Sequence, residues 1–527
     1  MIAGVDPGRR YNAAETFIDA NRVARADRIA IRCQGRSVTY GELGANVDRA
    51  GNALKALGVQ MEQRVVMQVL DSPAFPYAFF GAIKIGAIPV PTNTLLTPHD
   101  LRYILEDTRA VAIVASAPLL PKVLEAAKDL PRLRHVIATG AGVGAPDGRS
   151  AAQDGVVSFE DALSAAEDEL DPVDTTADDA CFWLYSSGTT GFPKGAVHLQ
   201  HDMRYSCETF GAEVLRTAEE DRYFTVSPLF HAYGLGNGIF TPFYAGASAV
   251  YKPKRATPDL VYGLVETERP SVLFSAPTFY AALLAYPEEG FRYDLSSLHF
   301  AFSAGEALPK PLFDAWKQRF GIEIVDGIGS TEMMHVFISN VPGRARGGTS
   351  GKIVPGYKAK IVDDDGKDVP AGQSGHLWVS GDSCCAYYWN QHEKTKATFR
   401  GEWTVTGDKY HMDAEGYFTY EGRSDDMLKV SGQWVSPAEV EAALMGHAAV
   451  LEAAVVGAKD KDDLTKPKAY VTLKNGKSGD DALADELKAF VKGRITPYKY
   501  PRWIVFTPEL PKNAAGKIQR FKLRELG

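Results

Sequence analysis

Cysteine is scarce in this chain. Five occur among 527 residues: Cys33, Cys181, Cys207, Cys384 and Cys385. The number is odd, and the adjacent pair lacks metal-site spacing. A disulfide framework is not expected, and a reducing, cytoplasmic setting is. Positive charge is also in deficit, since 58 Lys and Arg against 66 Asp and Glu leave a net charge of −8. That argues against a nucleic-acid partner, which calls for a cationic surface. Small anionic ligands remain open, because a local cluster can bind against the global sign. An unbroken membrane-length apolar run is missing as well. The most apolar segment, VVMQVLDSPAFPYAFFGAIKIGAIPV, is interrupted by Asp71, Lys84 and three prolines. It reads as a buried strand and helix, with no membrane partner expected. The opening MIAGVDPGRR has no basic stretch leading into an apolar one, so no secretory leader is expected.

What the chain does have is length and an ordinary globular composition, 45% apolar and 24% charged. Its length exceeds what one hydrophobic core serves, which predicts two or more domains. Short β-branched runs at 64–70, 110–116, 135–140 and 271–276 read as buried strands. Helical segments alternate with them. One opens with a capping box, Thr39 and Glu42, and carries Leu43, Val47, Leu54 and Leu57 as its apolar stripe up to Gly58. A second opens at Thr97, with Pro98 in its first turn. Alternation of this kind predicts parallel sheets with helices on their faces.

From about residue 340 the sequence becomes Gly-rich, and Asp365-Gly366 reads as a hairpin turn. After Arg423 comes a short α+β block with a third capping box at Ser436 and Glu439. Its strands are EAAVVGA, KAYVTLK and RWIVFT. The expected fold is α/β. A large N-terminal domain, 1–422, has parallel-rich sheets with helices and ends in a small β-barrel subdomain at 340–422. A small mobile α+β domain spans 423–527.

The stretch YSSGTTGFPKG, residues 185–195, cannot build a core. Glycines let successive N–H groups converge on one anion, the Ser and Thr hydroxyls add donors, and Lys194 adds charge. A solvated turn is the plainer alternative, but the lysine and the unbroken polar run disfavour it. The preceding CFWLY (181–185) reads as a strand, which sets the loop at a strand's C-terminal end, where open α/β sheets place ligands. The order of the P-loop is not met, since Pro193 precedes the lysine and Gly195 follows it. A nucleotide phosphate is the expected anion.

This loop resembles the phosphate-loop signature of the adenylate-forming superfamily of acyl-CoA synthetases, peptide-synthetase adenylation domains and luciferases. PLFHAYG (228–234), SAGEAL (303–308), GIGSTE (327–332), TGD (406–408), GRSDDMLKVSGQWVSPAEVE (422–441) and PKNAAGKIQR (511–520) resemble its later motifs in order. The resemblance implies ATP, Mg²⁺ and coenzyme A as reactants and cofactors. It implies that Ser186, Ser187, Gly188, Thr189, Thr190, Lys194 and Thr331 face phosphates. Gly305, Glu306, Ala307, Asp326, Gly327 and Ile328 would surround adenine, and Asp408 with Arg423 would hold the ribose. Glu332 is the implied metal ligand and Lys517 the catalytic lysine of adenylation. Asp425 is the implied hinge, about which the C-terminal domain turns to bring Lys429, Gly432 and Trp434 toward coenzyme A. Ser-Thr-Glu also suits a helix cap, which would place His335 on the same face as Glu332.

The acid is read from the pocket motifs. His231, Ala232, Tyr233 and Gly234 bring two small residues and one flat wall. Ile328 stands where the family usually has an aromatic residue. Ile328, Gly329 and His335 are expected beside the acid, and Lys429 and His231 are taken with Lys517 as the catalytic set. DGIGSTEMMHVFISN and the HAYGLG loop resemble those of benzoate–CoA ligases. The implied reaction is ATP-dependent ligation of benzoate to coenzyme A through an acyl-adenylate, with AMP and pyrophosphate released. A ligase for another small acid (a hydroxybenzoate, furoate or medium-chain acid) and a carrier-loading adenylation enzyme are the alternatives. A non-catalytic nucleotide binder is disfavoured by the presence of Lys517 and Glu332. Lys252, Lys254 and Arg255 read as a solvated basic loop, with coenzyme A phosphates as the alternative. A monomer or homodimer is expected.

Overall fold

The computed structural model describes residues 10–140, 155–186, 193–424, 426–430, 433–460, 464–474, 479–512 and 518–526, with the side chains of Lys429, Gln433 and Trp434 outside the description. Ser187, Gly188, Thr189, Thr190, Asp425, Gly432 and Lys517 lie outside the described residues.

Two sheets dominate the first part. In the nine-stranded sheet, Ile324–Gly329, Phe300–Ser303, Val272–Ser275, Arg222–Thr225, Ser248–Tyr251 and Ile29–Cys33 run parallel in that order. Antiparallel strands close both edges, Arg36–Thr39 at one and Val336–Ser339 with Lys352–Ile353 at the other. The five-stranded sheet is wholly parallel and orders Ile88–Pro91, Arg64–Gln68, Ala112–Ser116, His135–Thr139 and Val156–Ser158. The β-branched runs read in the sequence sit here, buried because helices cover both faces of such sheets.

Local sequence signals explain the helix boundaries. Thr39 accepts from the Glu42 backbone at 3.2 Å, and the Glu42 carboxylate accepts from the Thr39 backbone at 2.8 Å. The helix Tyr40–Ala56 buries Leu43, Val47 and Leu54, and Gly58 follows it with a φ of 76°, a conformation glycine adopts without strain. At Ser436 only half of the expected box forms. Its hydroxyl caps Glu439, but the Glu439 carboxylate turns away to Lys499 at 2.6 Å. The interrupted apolar segment is indeed strand, helix and strand. Its Lys84 is buried between Asp48 at 2.5 Å and Asp19 at 2.7 Å. Asp71 is buried beside Lys252, with 3.7 Å between them. Lys252 therefore belongs to the core and not to a solvated loop or a coenzyme A contact. No helix among the described residues is long and apolar enough to cross a membrane.

The later part carries a five-stranded antiparallel sheet of Lys358–Val362, Gly375–Ser380, Trp403–Met412, Phe399–Arg400 and Phe418–Arg423. Gly366, with φ of 81°, makes the Asp365-Gly366 turn between its first two strands. Residues 340–422 are not confined to this sheet. Lys352–Ile353 edges the nine-stranded sheet, and Tyr387–Tyr388 pairs with Lys194–Leu199. The hairpin Leu428–Val430 and Gln433–Val435 precedes a mixed sheet of Val450–Lys459, Thr465–Leu473 and Trp503–Phe506. Val440, Leu444, Val455, Val471 and Leu487 form the core beside it.

Candidate active site

The strand ending in Ser186 and the strand beginning at Lys194 are antiparallel neighbours, with Ser186 opposite Lys194. The phosphate-loop segment thus joins two arms of a hairpin. The loop does leave a strand's C-terminal end, as the sequence predicts, but that strand belongs to a three-stranded antiparallel sheet in which Lys194–Leu199 turns back, and not to an open parallel one. Tyr388, on the third strand of this small sheet, completes the cluster. Its hydroxyl donates to Glu332 Oε1 at 2.7 Å, and Lys194 Nζ donates to that hydroxyl at 3.2 Å and lies 4.2 Å from the ring centre. Ser186 donates to the same Glu332 oxygen at 3.3 Å. Burial alone would raise the Glu332 carboxyl, but the Tyr388 hydroxyl and the Lys194 charge outweigh it and hold the group below its usual range. Burial also lowers the Lys194 ammonium despite the opposing carboxylate. Glu332 therefore stays ionised at neutral pH, as a hard-cation ligand requires.

Glu332 lies on the turn between Ile324–Gly329 and Val336–Ser339, not on a helix. The helical placement of His335 is corrected by that turn, in which Met334 has φ of 66°. The two antiparallel strands require the chain to reverse within a few residues, which a helix cannot do. A Cβ on Gly329 would lie 2.4 Å from the His335 carbonyl oxygen, so the reversal depends on that glycine. The Thr331 carbonyl accepts from His198 Nε2 at 2.9 Å, and the Glu332 carbonyl from the Cys385 backbone at 2.7 Å. These two bonds fix the turn.

Asp326 is buried, and its Oδ1 has no hydrogen-bond partner among the described residues. Burial pushes its carboxyl well above the ordinary range. A buried acceptor without a donor is costly, and an adenine amino group is a suitable donor. Gly305, Glu306 and Ala307 follow the neighbouring strand Phe300–Ser303, and Glu306 accepts from the Thr278 hydroxyl at 2.7 Å. Asp408 and Arg423 face each other across two strands, 3.1 Å apart. A Cβ on Gly407 would stand 2.7 Å from the Arg423 guanidinium, so that pair also relies on glycine.

The expected acid pocket is aromatic. His335 stacks on Tyr233 with centroids 6.2 Å apart and meets Phe240 edge-on at 5.7 Å. The Tyr233 hydroxyl is spent on the Phe302 carbonyl at 2.9 Å, so its ring serves as a wall. Among the described residues neither ring nitrogen of His335 has a hydrogen-bond partner, and burial lowers its pKa to about 4. Ile328 packs on the same cluster as Tyr233. Gly234 does not simply leave space for the acid; a Cβ there would meet the Pro228 carbonyl at 2.0 Å. Gly236, unremarked in the sequence, is more telling, since its Cβ would fall 2.2 Å from His335 Nε2. The His231 ring packs against Phe230 at 4.4 Å, just before the turn Ala232–Leu235.

Lys429 and Trp434 are opposite each other in a two-stranded hairpin. The segment carrying Lys517 is flanked by a pairing of Lys512 with Ile518, and the Gln519 backbone donates to Pro511 at 2.8 Å. Arg520 beyond it grips Glu441 with two contacts of 2.8 Å. Sequence reasoning missed Tyr388, His198 and Gly236. The signals available were an aromatic pair on a short strand and a His–Asp spacing of four.

A family model described as AMP-binding enzyme matches residues 18–389, and the AMP-binding enzyme C-terminal domain matches 439–517. The chain belongs to the AMP-binding enzymes. Among these relatives, the benzoate–CoA ligase of Thauera aromatica is 47% identical over 98% of this chain and 96% of its own. The 4-hydroxybenzoate–CoA/benzoate–CoA ligase of Rhodopseudomonas palustris is 46% identical over 99% and 95%. The crystal structure of the anthranilate CoA ligase AuaEII in complex with anthranoyl-AMP superposes with a TM-score of 0.93 at 42% identity, over 98% of this chain and 97% of that one. As an AMP-binding enzyme, the chain takes ATP, and Glu332 is the carboxylate suited to Mg²⁺. No group of three His, Cys, Asp or Glu set to enclose a metal occurs among the described residues. One carboxylate with substrate phosphates and water matches the way Mg²⁺ is usually held.

Proposed function

We propose that this protein ligates benzoate to coenzyme A in two steps, consuming ATP and releasing AMP and pyrophosphate. The observation that carries the reading is the neutral, unpartnered His335 ring stacked on Tyr233. A flat wall and one short-reach polar group suit an aryl carboxylic acid, and the benzoate ligases that resemble the chain agree. Bound Mg²⁺ would neutralise phosphate charge during attack by the carboxylate. Glu332 would hold it, kept ionised by Tyr388 and Lys194. Asp326 would accept from adenine, and Asp408 with Arg423 from and to the ribose. Ser186, Lys194 and Thr331 would meet phosphates together with Ser187, Gly188, Thr189 and Thr190. Lys517 would bridge carboxylate and α-phosphate as a positive charge that a low-dielectric site makes effective.

The thiol step follows from rotation of residues 423–527 about Asp425 against 1–422. That rotation replaces Lys517 by the Lys429–Trp434 hairpin, with Gly432 leaving room for pantetheine. Free thiols at all five cysteines fit a cytoplasmic location.

The test is a pyrophosphate-release assay across benzoate, 4-hydroxybenzoate, 2-aminobenzoate, furoate and hexanoate, with coenzyme A turnover measured in parallel. Benzoate should give the highest kcat/KM. Equal turnover of hexanoate would remove the aryl-acid reading. The relatives that act on 4-hydroxybenzoate or anthranilate favour a second reading in which ring substituents are accepted, and the same panel ranks them.

A further inference from the structure

The five-stranded parallel sheet carries a cationic groove far from the phosphate hairpin in sequence. Arg64 opens the strand Arg64–Gln68, Arg109 precedes Ala112–Ser116, and Arg132 and Arg134 precede His135–Thr139. Because these strands are parallel, their beginnings lie together, and the four arginines line one shallow groove of about 500 Å³ with Gln63 and Val111. Three of the four are exposed. None forms an ion pair among the described residues, in a chain whose net charge is −8. Glu62 is the carboxylate felt by Arg64, yet only its backbone carbonyl is bonded, at 2.7 Å.

Packing explains part of this group. Arg64 lies over the Trp183 and Trp389 rings at 5.5 and 5.6 Å, and Arg109 over Trp389 at 5.3 Å. Arg134 donates to the Gly58 carbonyl and to Gln63. Arg132 has no hydrogen-bond, carboxylate or ring partner among the described residues. Burial and the charges of Arg109 and Arg132 act together to lower the Arg64 guanidinium. Four like charges held together against little counter-charge, that of Glu62 on Arg64, repel one another unless an anion joins them.

We propose that this groove binds a small diphosphate-bearing anion. Guanidinium forks pair with phosphate oxygens two at a time. Arg109 and Arg132 keep theirs free of hydrogen bonds among the described residues, while Arg64, which donates to the Thr108 and Glu62 carbonyls, and Arg134 add charge. Two open forks with two further charges suit a diphosphate better than a single phosphate. The indole faces beneath are already covered by Arg64 and Arg109, so the groove offers no stacking platform to a nucleobase. It recognises the phosphates themselves. Their source is inorganic pyrophosphate, which the proposed reaction releases, or the diphosphate arm of a nucleotide. The groove's own claim does not depend on which acid is activated.

Calorimetric titration of the full chain with sodium pyrophosphate, ADP and inorganic phosphate tests this, beside the double variant Arg109→Asn, Arg132→Gln. Asparagine is chosen at 109 because the residue there has φ of 52°, which it tolerates. Pyrophosphate also has an active-site mode, so the wild type should show one binding event more than the variant. That event should weaken at least about tenfold in the variant, with fluorescence of the Trp183–Trp389 pair responding only in the wild type. Thermal melting and ATP–pyrophosphate exchange should be alike in both proteins, which separates loss of the groove from loss of fold or active site. Binding of pyrophosphate and ADP alike assigns recognition to the shared diphosphate; binding of pyrophosphate alone assigns the inorganic anion. Identical isotherms for wild type and variant, or inorganic phosphate bound as tightly as pyrophosphate, overturn the proposal.

Discussion

The two ends of the candidate site are built on opposite principles. At the phosphate end, Lys194, Tyr388, Ser186 and Glu332 already satisfy one another through hydrogen bonds. At the acid end, His335 is enclosed by Tyr233, Phe210 and Phe240, and its nitrogens have no hydrogen-bond partner among the described residues. The first arrangement fixes charge in advance, so that little reorganisation is needed when charge develops. The second leaves a polar demand that, on the proposed reading, a fitting acid would relieve. Rate should therefore reside mainly in the wired end and selectivity in the unfilled one.

The sharpest way to break this division is Lys517→Ala. Acyl-adenylate formation should fall by at least about 10³-fold, because the charge it removes acts in the transition state. Transfer from supplied benzoyl-AMP to coenzyme A should survive; equal loss in both assays would make the lysine structural. Glu332→Gln comes next, with kcat for adenylation down on the order of 10²-fold and Mg²⁺ dependence shifted to higher concentration. Tyr388→Phe removes the hydroxyl's bonds to two charged groups, Glu332 and Lys194, each worth about 1.5–3 kcal/mol, and should cost at least roughly tenfold and up to about 10²-fold in kcat. A rise in the benzoate KM alone would place Tyr388 at the wrong end of the site.

His335→Asn sharpens the other side. The KM for benzoate should rise about tenfold, the worth of one lost hydrogen bond, while the KM for ATP stays within about twofold. The histidine also marks pH. An unfolded histidine titrates near 6.5, whereas here the value is about 4. Between these two the unfolded chain takes up a proton that the folded chain refuses. Its contribution to stability is thus complete above about pH 6.5, declines as pH falls toward 4, and is level below that. Denaturant midpoints measured through this window should lose part of their slope in the asparagine variant.

Much of the fold was legible because its signals are local. Thr39 and Glu42 are three residues apart, and the buried runs at 64–70 and 110–116 declare themselves by β-branched content. Motif order proposes roles for Glu332, Asp326 and Asp408; the structure gives Glu332 and Asp408 charged partners and buries Asp326. What failed depended on partners distant in the chain. Lys252 looked solvated until Asp71 was found beside it. Glu439 looked like half of a capping box until Lys499 claimed it. The Glu332–His335 stretch passed for a helix start because spacing alone does not distinguish a helical turn from a tight reversal. Tyr388 escaped notice for the same reason, since only strand pairing brings it to Glu332.

The contact between Gly236 and His335 bears on how such a protein changes its diet. If the acid sits against His335 as proposed, its seat leaves no room for a side chain at Gly236, whose Cβ would fall 2.2 Å from the imidazole. Natural variation cannot deepen or reshape it there without dislodging the imidazole. On the proposed reading, drift toward bulkier acids would proceed through replaceable side chains such as Ile328 and Ala232, with the histidine's seat as the fixed point around which new preferences are tried.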